Sequence, residues 1–271
     1  MDSARFVMQP TVGSMNGGGG LAPSCMFAGR NLFMGCEAGR MRALADLNTG
    51  SLLAIFRQID FFDPFDDRER LVLAGRHTHL VAYEVGDCLI QEGSSQERSL
   101  FLLLAGGASV VKEGASIPVA SLMPGDFFGE VAFLTDRPRT SNVIVHPPEH
   151  DAPEIPAIPH LFDVGFPDAI HQATALVLRF DPALMNTDDP LLRIKIKDQI
   201  IGHLTRRVDL MHAKVVEITG RDPQLWVDNE LEEALRERQH APLAEHERTK
   251  DRLIEQLAAF LDELNNALVA C

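Results

Sequence analysis

Glu130 and Arg139 stand nine residues apart in the stretch FFGEVAFLTDRPRTSNV, Phe127 to Val143, among residues that are otherwise apolar or small. An anionic ligand held inside a β-structure needs backbone donors, a fixed cation and a partner for its hydroxyls. The run Gly129-Glu130-Val131-Ala132-Phe133-Leu134 can form one short helical turn, whose first N–H groups have no intrahelical acceptor and favour an anion. Gly129 lets the backbone approach closely because it has no Cβ. Arg139 supplies a planar fork that matches two oxygens of a phosphate. Glu130, at the same rim, can accept hydrogen bonds from a sugar hydroxyl. Together these residue types suit a phosphosugar. The other reading is that Glu130 and Arg139 pair with each other or with a further side chain, in a domain that binds nothing.

Something must hold that stretch in place, and the sequence before it has the pattern of short strands. HTHLVAYEV breaks at Gly86-Asp87, CLIQE at Gly93 and SLFLLLA at Gly106-Gly107. ASVVKEG and IPVASLM follow, then the turn Pro124-Gly125-Asp126, and ATALVLRF resumes at Ala173. Even spacing of this kind predicts a small antiparallel barrel or jelly roll of about eight strands. Upstream, Leu52, Leu53, Ile55, Phe56 and Ile59 have helical spacing, and DPFDDRERLVLAG has the Asp-Pro start and Gly stop of a second short helix. Helix is also expected from about Gly39, in GRMRALADL. From Asp188 the pattern is helical, with breaks at TGRDP and near HAPLAE. The fold class expected is α+β, a β-roll flanked by N-terminal helices and followed by long C-terminal ones. Residues 1–40, with NGGGGLAPS and no sustained period, read as a disordered tail. Residues 41–187 form the β-roll with its flanking helices, interrupted by a Pro-rich insertion at 146–172, and 188–271 form a helical dimerisation or partner region.

The quoted stretch resembles the phosphate-binding cassette of cyclic nucleotide-binding domains, found in catabolite activator proteins, kinase regulatory subunits and cyclic-nucleotide-gated channels. The family pattern of Phe-Gly-Glu, an apolar turn and Arg-Thr/Ser-Ala stands here as Phe128-Gly129-Glu130-Val131-Ala132 and Pro138-Arg139-Thr140-Ser141. EVGDCLIQEG, LFLLLAGGASVV and LMPGDFFGE resemble the turns and hairpin that lead into it. The resemblance implies that Glu130 binds the ribose 2′-hydroxyl and Arg139 the cyclic phosphate of cyclic AMP or cyclic GMP. It further implies a cradle of the Gly129, Glu130, Val131 and Ala132 amides, assisted by Thr140 and Ser141. Asn142 departs from the pattern by replacing a small β-branched residue. Arg137, two residues before Arg139, is expected to face solvent.

Composition limits the alternatives. A net charge of −14 and a pI near 5.1 argue against a broad nucleic-acid or anionic-membrane surface. No apolar run approaches the roughly 18 residues that span a bilayer, and no secretory leader is evident, so a cytoplasmic location is expected. The one stretch that could be a helix-turn-helix, EITGRDPQLWVDNELEEAL, would turn Asp228, Glu230, Glu232 and Glu233 toward DNA phosphates, so a transcription regulator is disfavoured. Cys25, Cys36, Cys88 and Cys271 have no zinc-finger spacing and read as isolated reduced thiols. His146, His150 and His160, with Glu149 and Asp151, read as solvated loop residues rather than a metal site. Phe127, Phe128 and Phe133 read as core. No nucleophile–base set or Walker loop points to an enzyme, and no cofactor is expected.

Ile201, Leu204, Val208, Met211, Val215 and Ile218 alternate three and four apart, like coiled-coil a and d positions, with β-branched residues at a. That stripe predicts a homodimer through this helix. A second stripe, Leu253, Leu257, Phe260, Leu264 and Leu268, would pack on it or dock an unidentified protein partner. The functional expectation is a cytoplasmic cyclic-nucleotide sensor that couples its β-roll to the C-terminal helices. The alternative is a ligand-free β-roll used as a scaffold or assembly module.

Overall fold

In the computed structural model, which describes residues 42–43, 49–114, 118–146, 175–220 and 242–269, the turn-punctuated runs form nine strands in two antiparallel sheets. The first sheet has the order β1 (Arg42–Ala43), β2 (Thr78–Tyr83), β9 (Ala175–Phe180), β4 (Leu100–Gly106) and β7 (Phe127–Phe128). The second has β3 (Cys88–Ile90), β8 (Asn142–Val145), β5 (Ala108–Val111) and β6 (Ala120–Leu122). Helices α1 (Thr49–Phe56) and α2 (Asp67–Leu73) lie between β1 and β2 in the chain. A five-residue helix α3 (Glu130–Leu134) lies between β7 and β8, and α4 (Pro190–Thr219) and α5 (Leu243–Val269) follow β9.

The near-continuous apolar runs of β2, β4 and β9 reflect a sheet covered on both faces. Leu80, Leu102, Leu104, Leu176 and Leu178 point toward the helices, while Val81, Tyr83, Phe101, Leu103 and Val177 point toward the second sheet. A strand buried on one face only would have alternated with polar residues. Phe61 and Phe62, in a 3-10 turn at Asp60–Phe62, tie the N-terminal helices to the strand that enters α3. The Phe61 ring stacks on Phe127 at 4.1 Å and Phe62 on Phe56 at 4.0 Å. α2 starts one turn later than the Asp-Pro signal suggests. Asp66 caps it, accepting from the Glu69 N–H, while Glu69 reaches back to the Asp66 N–H.

The structure departs from the sequence reading at residues 42–43 and at Cys88. Arg42 and Ala43 are strand rather than helix, paired with Ala82 and Val81, so edge pairing outweighs the helix preference of that segment. Cys88 is disulfide-bonded, so the expectation of free thiols fails there. The stripe on α4 is covered by this chain's own α5. Ile201, Leu204, Val208, Met211 and Val215 are buried in one apolar cluster with Leu253, Ile254, Leu257, Leu261 and Leu264. The second stripe thus packs on the first, one of the two places the sequence allowed it, and Ile218, 44% exposed, lies beyond the covered stretch. The tail before residue 41, the insertion from Pro147 on with His150 and His160, and the acidic stretch after Gly220 lie outside the described residues.

The two long helices are also clamped by charge. Glu247 on α5 accepts from Arg193 Nε and Nη2 at 2.8 and 3.1 Å and from Lys197 Nζ at 3.2 Å, and Lys197 also meets Asp251 at 2.6 Å. The Arg193 fork holds the Glu247 carboxyl down at about 2, below its ordinary 4.5. A carboxyl whose folded value is depressed contributes stability above the unfolded value, lost as pH falls through the folded one. Glu247→Gln should therefore lower Tm at pH 6 and have progressively less effect between pH 4.5 and pH 2. An equal Tm deficit at pH 6 and pH 2.5 would show that the clamp acts through packing alone.

Candidate functional site

The cassette is positioned by β4. β7 pairs with it through Phe101 and Phe128, whose rings stack at 5.3 Å, and the turn before β7 is tied by Gly125 N–H to Leu103 O at 2.8 Å. Phe127, Phe128 and Phe133 are all buried, as core residues. At Gly129 the chain enters α3 in the left-handed region, φ +81°. A Cβ there would stand 2.6 Å from Arg139 Nη1 and 3.0 Å from the Ser99 carbonyl oxygen, so both backbone conformation and space demand glycine.

Arg139 is held from both directions. Its N–H donates to Ser94 O at 2.9 Å and its carbonyl accepts from Gly93 N–H at 2.8 Å, which makes the positive-φ turn at Gly93 part of the site. Its guanidinium is 4% exposed and donates inward. Nε bonds Glu97 O at 2.9 Å, and Nη1 bonds Gly129 O at 2.8 Å. Nη2 bonds both Glu97 Oε2 and Ser99 O at 2.8 Å. Burial pushes its pKa down and the Glu97 carboxylate pulls it back up. Four of the five N–H donors are thus used within the chain, leaving one on Nη1. The two-pronged fork expected of Arg139 is directed at its own protein.

Glu130 is 2% exposed, and its carboxylate is paired with Arg207 of α4. One turn before Arg207, His203 donates from Nε2 to the Phe127 carbonyl at 2.9 Å, and burial holds that imidazole below its ordinary pKa. The helix α4 is therefore bonded to the cassette at two points. Asn142 is not an idle departure either, since its side-chain oxygen accepts from the Glu92 N–H at 2.9 Å across β3 and β8. Arg137, expected in solvent, pairs with Glu255 and Asp262 of α5 at 3.3 and 3.1 Å.

The residues singled out from the sequence converge. Gly129, Glu130, Val131, Ala132, Arg139, Thr140 and Ser141 all line one cavity. Arg207 joins them from α4, and Leu261, Asp262 and Asn265 close it from α5. Its volume is about 50 Å³, whereas pockets for ligands of drug size run from about 300 Å³. Among the described residues no cluster of His, Cys, Asp and Glu is arranged to hold a metal ion. No helix there is long and apolar enough to cross a membrane. Sequence reasoning missed Arg207, Glu97 and the α5 wall.

The profile of the cyclic nucleotide-binding domain matches residues 80–147. The regulatory subunit of cAMP-dependent protein kinase from Neurospora crassa is 47% identical over 62 residues, 23% of this chain and 16% of that protein. The corresponding subunit from Yarrowia lipolytica is 38% identical over 87 residues, 32% of this chain and 23% of that protein. These matches thus span less than a quarter of the relatives' length. Among solved structures, a cyclic nucleotide-binding domain from Methylobacillus flagellatus is 18% identical with a TM-score of 0.47. That alignment covers 65% of this chain and 88% of the other.

Proposed function

Because this chain carries a cyclic nucleotide-binding domain similar to those of the kinase regulatory subunits, we propose that it is a cyclic-nucleotide sensor that passes the bound state of its β-roll to α4 and α5. The observation that carries this reading is the convergence of Gly129, Glu130 and Arg139 on one cavity. The remaining Nη1–H and fixed positive charge of Arg139, with the first-turn amides of α3, provide for a phosphate. Glu130 provides for a ribose hydroxyl. A nucleotide that reaches Glu130 meets the carboxylate already bonded to Arg207, so binding bears directly on the α4 contact and shifts the population of helix arrangements. The activity proposed is binding rather than catalysis. A cytoplasmic setting and a protein partner for the helices complete the proposal.

The alternative, a ligand-free scaffold, is favoured by one observation: Glu130 and Arg139 are satisfied internally around a cavity too small for a nucleotide. Calorimetric titration of the full chain with cyclic AMP and cyclic GMP separates the two. Heat of binding from either supports the sensor. Silence from both at millimolar concentration, with no nucleotide in the purified protein, leaves the scaffold. For a nucleotide that does bind, its 2′-deoxy analogue should bind about tenfold more weakly, because a buried carboxylate would be left facing no hydroxyl. Equal affinities would remove Glu130 from the ligand contacts.

A further inference from the structure

α5 lies where the nucleotide of the proposed reading would have to go. Leu261 and Asn265, each 4% exposed, and Asp262 form the wall of the cavity opposite Glu130 and Arg139. Beside the apolar packing of α3 on α5, one charged side chain holds the helix to the cassette. Arg137, three residues past the end of α3, bridges Glu255 and Asp262, which lie two helical turns apart on α5.

That contact is not built like the rest of the hairpin. At the N-terminal end of α5, Glu247, Asp251 and Lys250 are each paired with α4, through Arg193, Lys197 and Asp198. Over the cavity the fit is imperfect. Asn265 Oδ1 is buried with no hydrogen-bond partner, and a buried amide oxygen without a donor is a standing cost of the closed arrangement. Asp262, which faces Arg137, Lys112 and Glu92, has its carboxyl pushed up by burial, so closure is also costly to its charge. α5 is thus paired by charge at its N-terminal end and carries an unpartnered amide where it covers the cavity, near its C-terminal end.

Resting on the sensor reading above, we propose that α5 is an internal lid, latched by Arg137, that occupies the nucleotide's place until it is released. Asp262, one of the two carboxylates that hold Arg137, lines the cavity itself, so the latch is an ion pair made by the chain at the cradle's edge. The nucleotide then binds only the open fraction, and its apparent affinity is reduced by that fraction.

Arg137→Glu in the full chain tests this, because it sets three carboxylates against one another at the latch. Two readouts are needed: hydrogen–deuterium exchange across residues 253–269 without nucleotide, and the Kd for cyclic AMP and cyclic GMP. The expected result is faster exchange in α5 and affinity raised about tenfold, which corresponds to about 1.4 kcal/mol. The charge-swapped Arg137→Glu/Asp262→Arg protein should return both toward wild type. Unchanged exchange in α5, or faster exchange with unchanged or weaker affinity in a wild type that does bind nucleotide, overturns the lid while leaving the sensor standing. Faster exchange with no nucleotide bound by either protein overturns the sensor reading, and the lid with it.

Discussion

Arg139→Leu is expected to abolish measurable nucleotide affinity and to destabilise the domain by about 3 kcal/mol, because the guanidinium braces the protein around the site. The substitution removes the donors to the Ser99, Gly129 and Glu97 carbonyls. A buried acceptor stripped of its donor costs about 1–3 kcal/mol. The Ser99 oxygen is the most buried of these partners, in a residue 3% exposed. The Glu97 carboxylate contributes least, since its side chain is 45% exposed and can turn to water. The Arg139 backbone bonds to Gly93 and Ser94 survive, so the loop stays anchored while its centre loosens. For a chain of this size the loss corresponds to a fall in Tm of about 6–12 °C. From the sequence, this substitution would spare the fold and weaken only the ligand. A melt coincident with wild type, alongside lost affinity, would restore that simpler role.

Why the sequence grouped residues that share one cavity but missed their partners is visible in the separations involved. Gly129 to Ser141 is one contiguous segment whose turn, cation and small residues are readable side by side, and all seven named residues reach one cavity. Their partners come from far along the chain: Glu97 is 42 residues from Arg139, and Arg207 is 77 from Glu130. No local pattern marks a surface arginine on an amphipathic helix as the one that will meet a buried carboxylate. The strand runs were legible because glycine turns separate them. That β2, β4 and β9 are covered on both faces was foreshadowed only by runs such as LFLLLA. The segment 42–43 shows the opposite case, in which edge partners 40 and 38 residues away, Ala82 and Val81, decide the conformation. A stripe of apolar residues three and four apart states that a helix needs an apolar partner. It does not state which chain supplies it.

That ambiguity makes Val208→Glu the sharpest test of the C-terminal half. Val208 is 2% exposed and belongs to the apolar cluster that α4 shares with α5. A carboxylate introduced there loses its hydration and meets leucines and isoleucines. Unpaired burial of a charge, added to the lost methyl packing, places this substitution among the most damaging, about 4 kcal/mol or more. The hairpin must open to let water reach the carboxylate, or the whole unit must unfold. A fall in Tm of at least about 8 °C is expected, with accelerated exchange in both α4 and α5. Leu210→Glu is the control, two residues away on the same helix but 72% exposed, and it should leave both readings at wild type. A two-chain seam would give a different signature. Val208→Glu would then keep the wild-type melt of its β-sandwich at high dilution and shift sedimentation from dimer to monomer. That pair of results would mean that α5 does not cover the stripe in solution. A destabilised protein with unchanged stoichiometry would place the partner of α4 within the same chain.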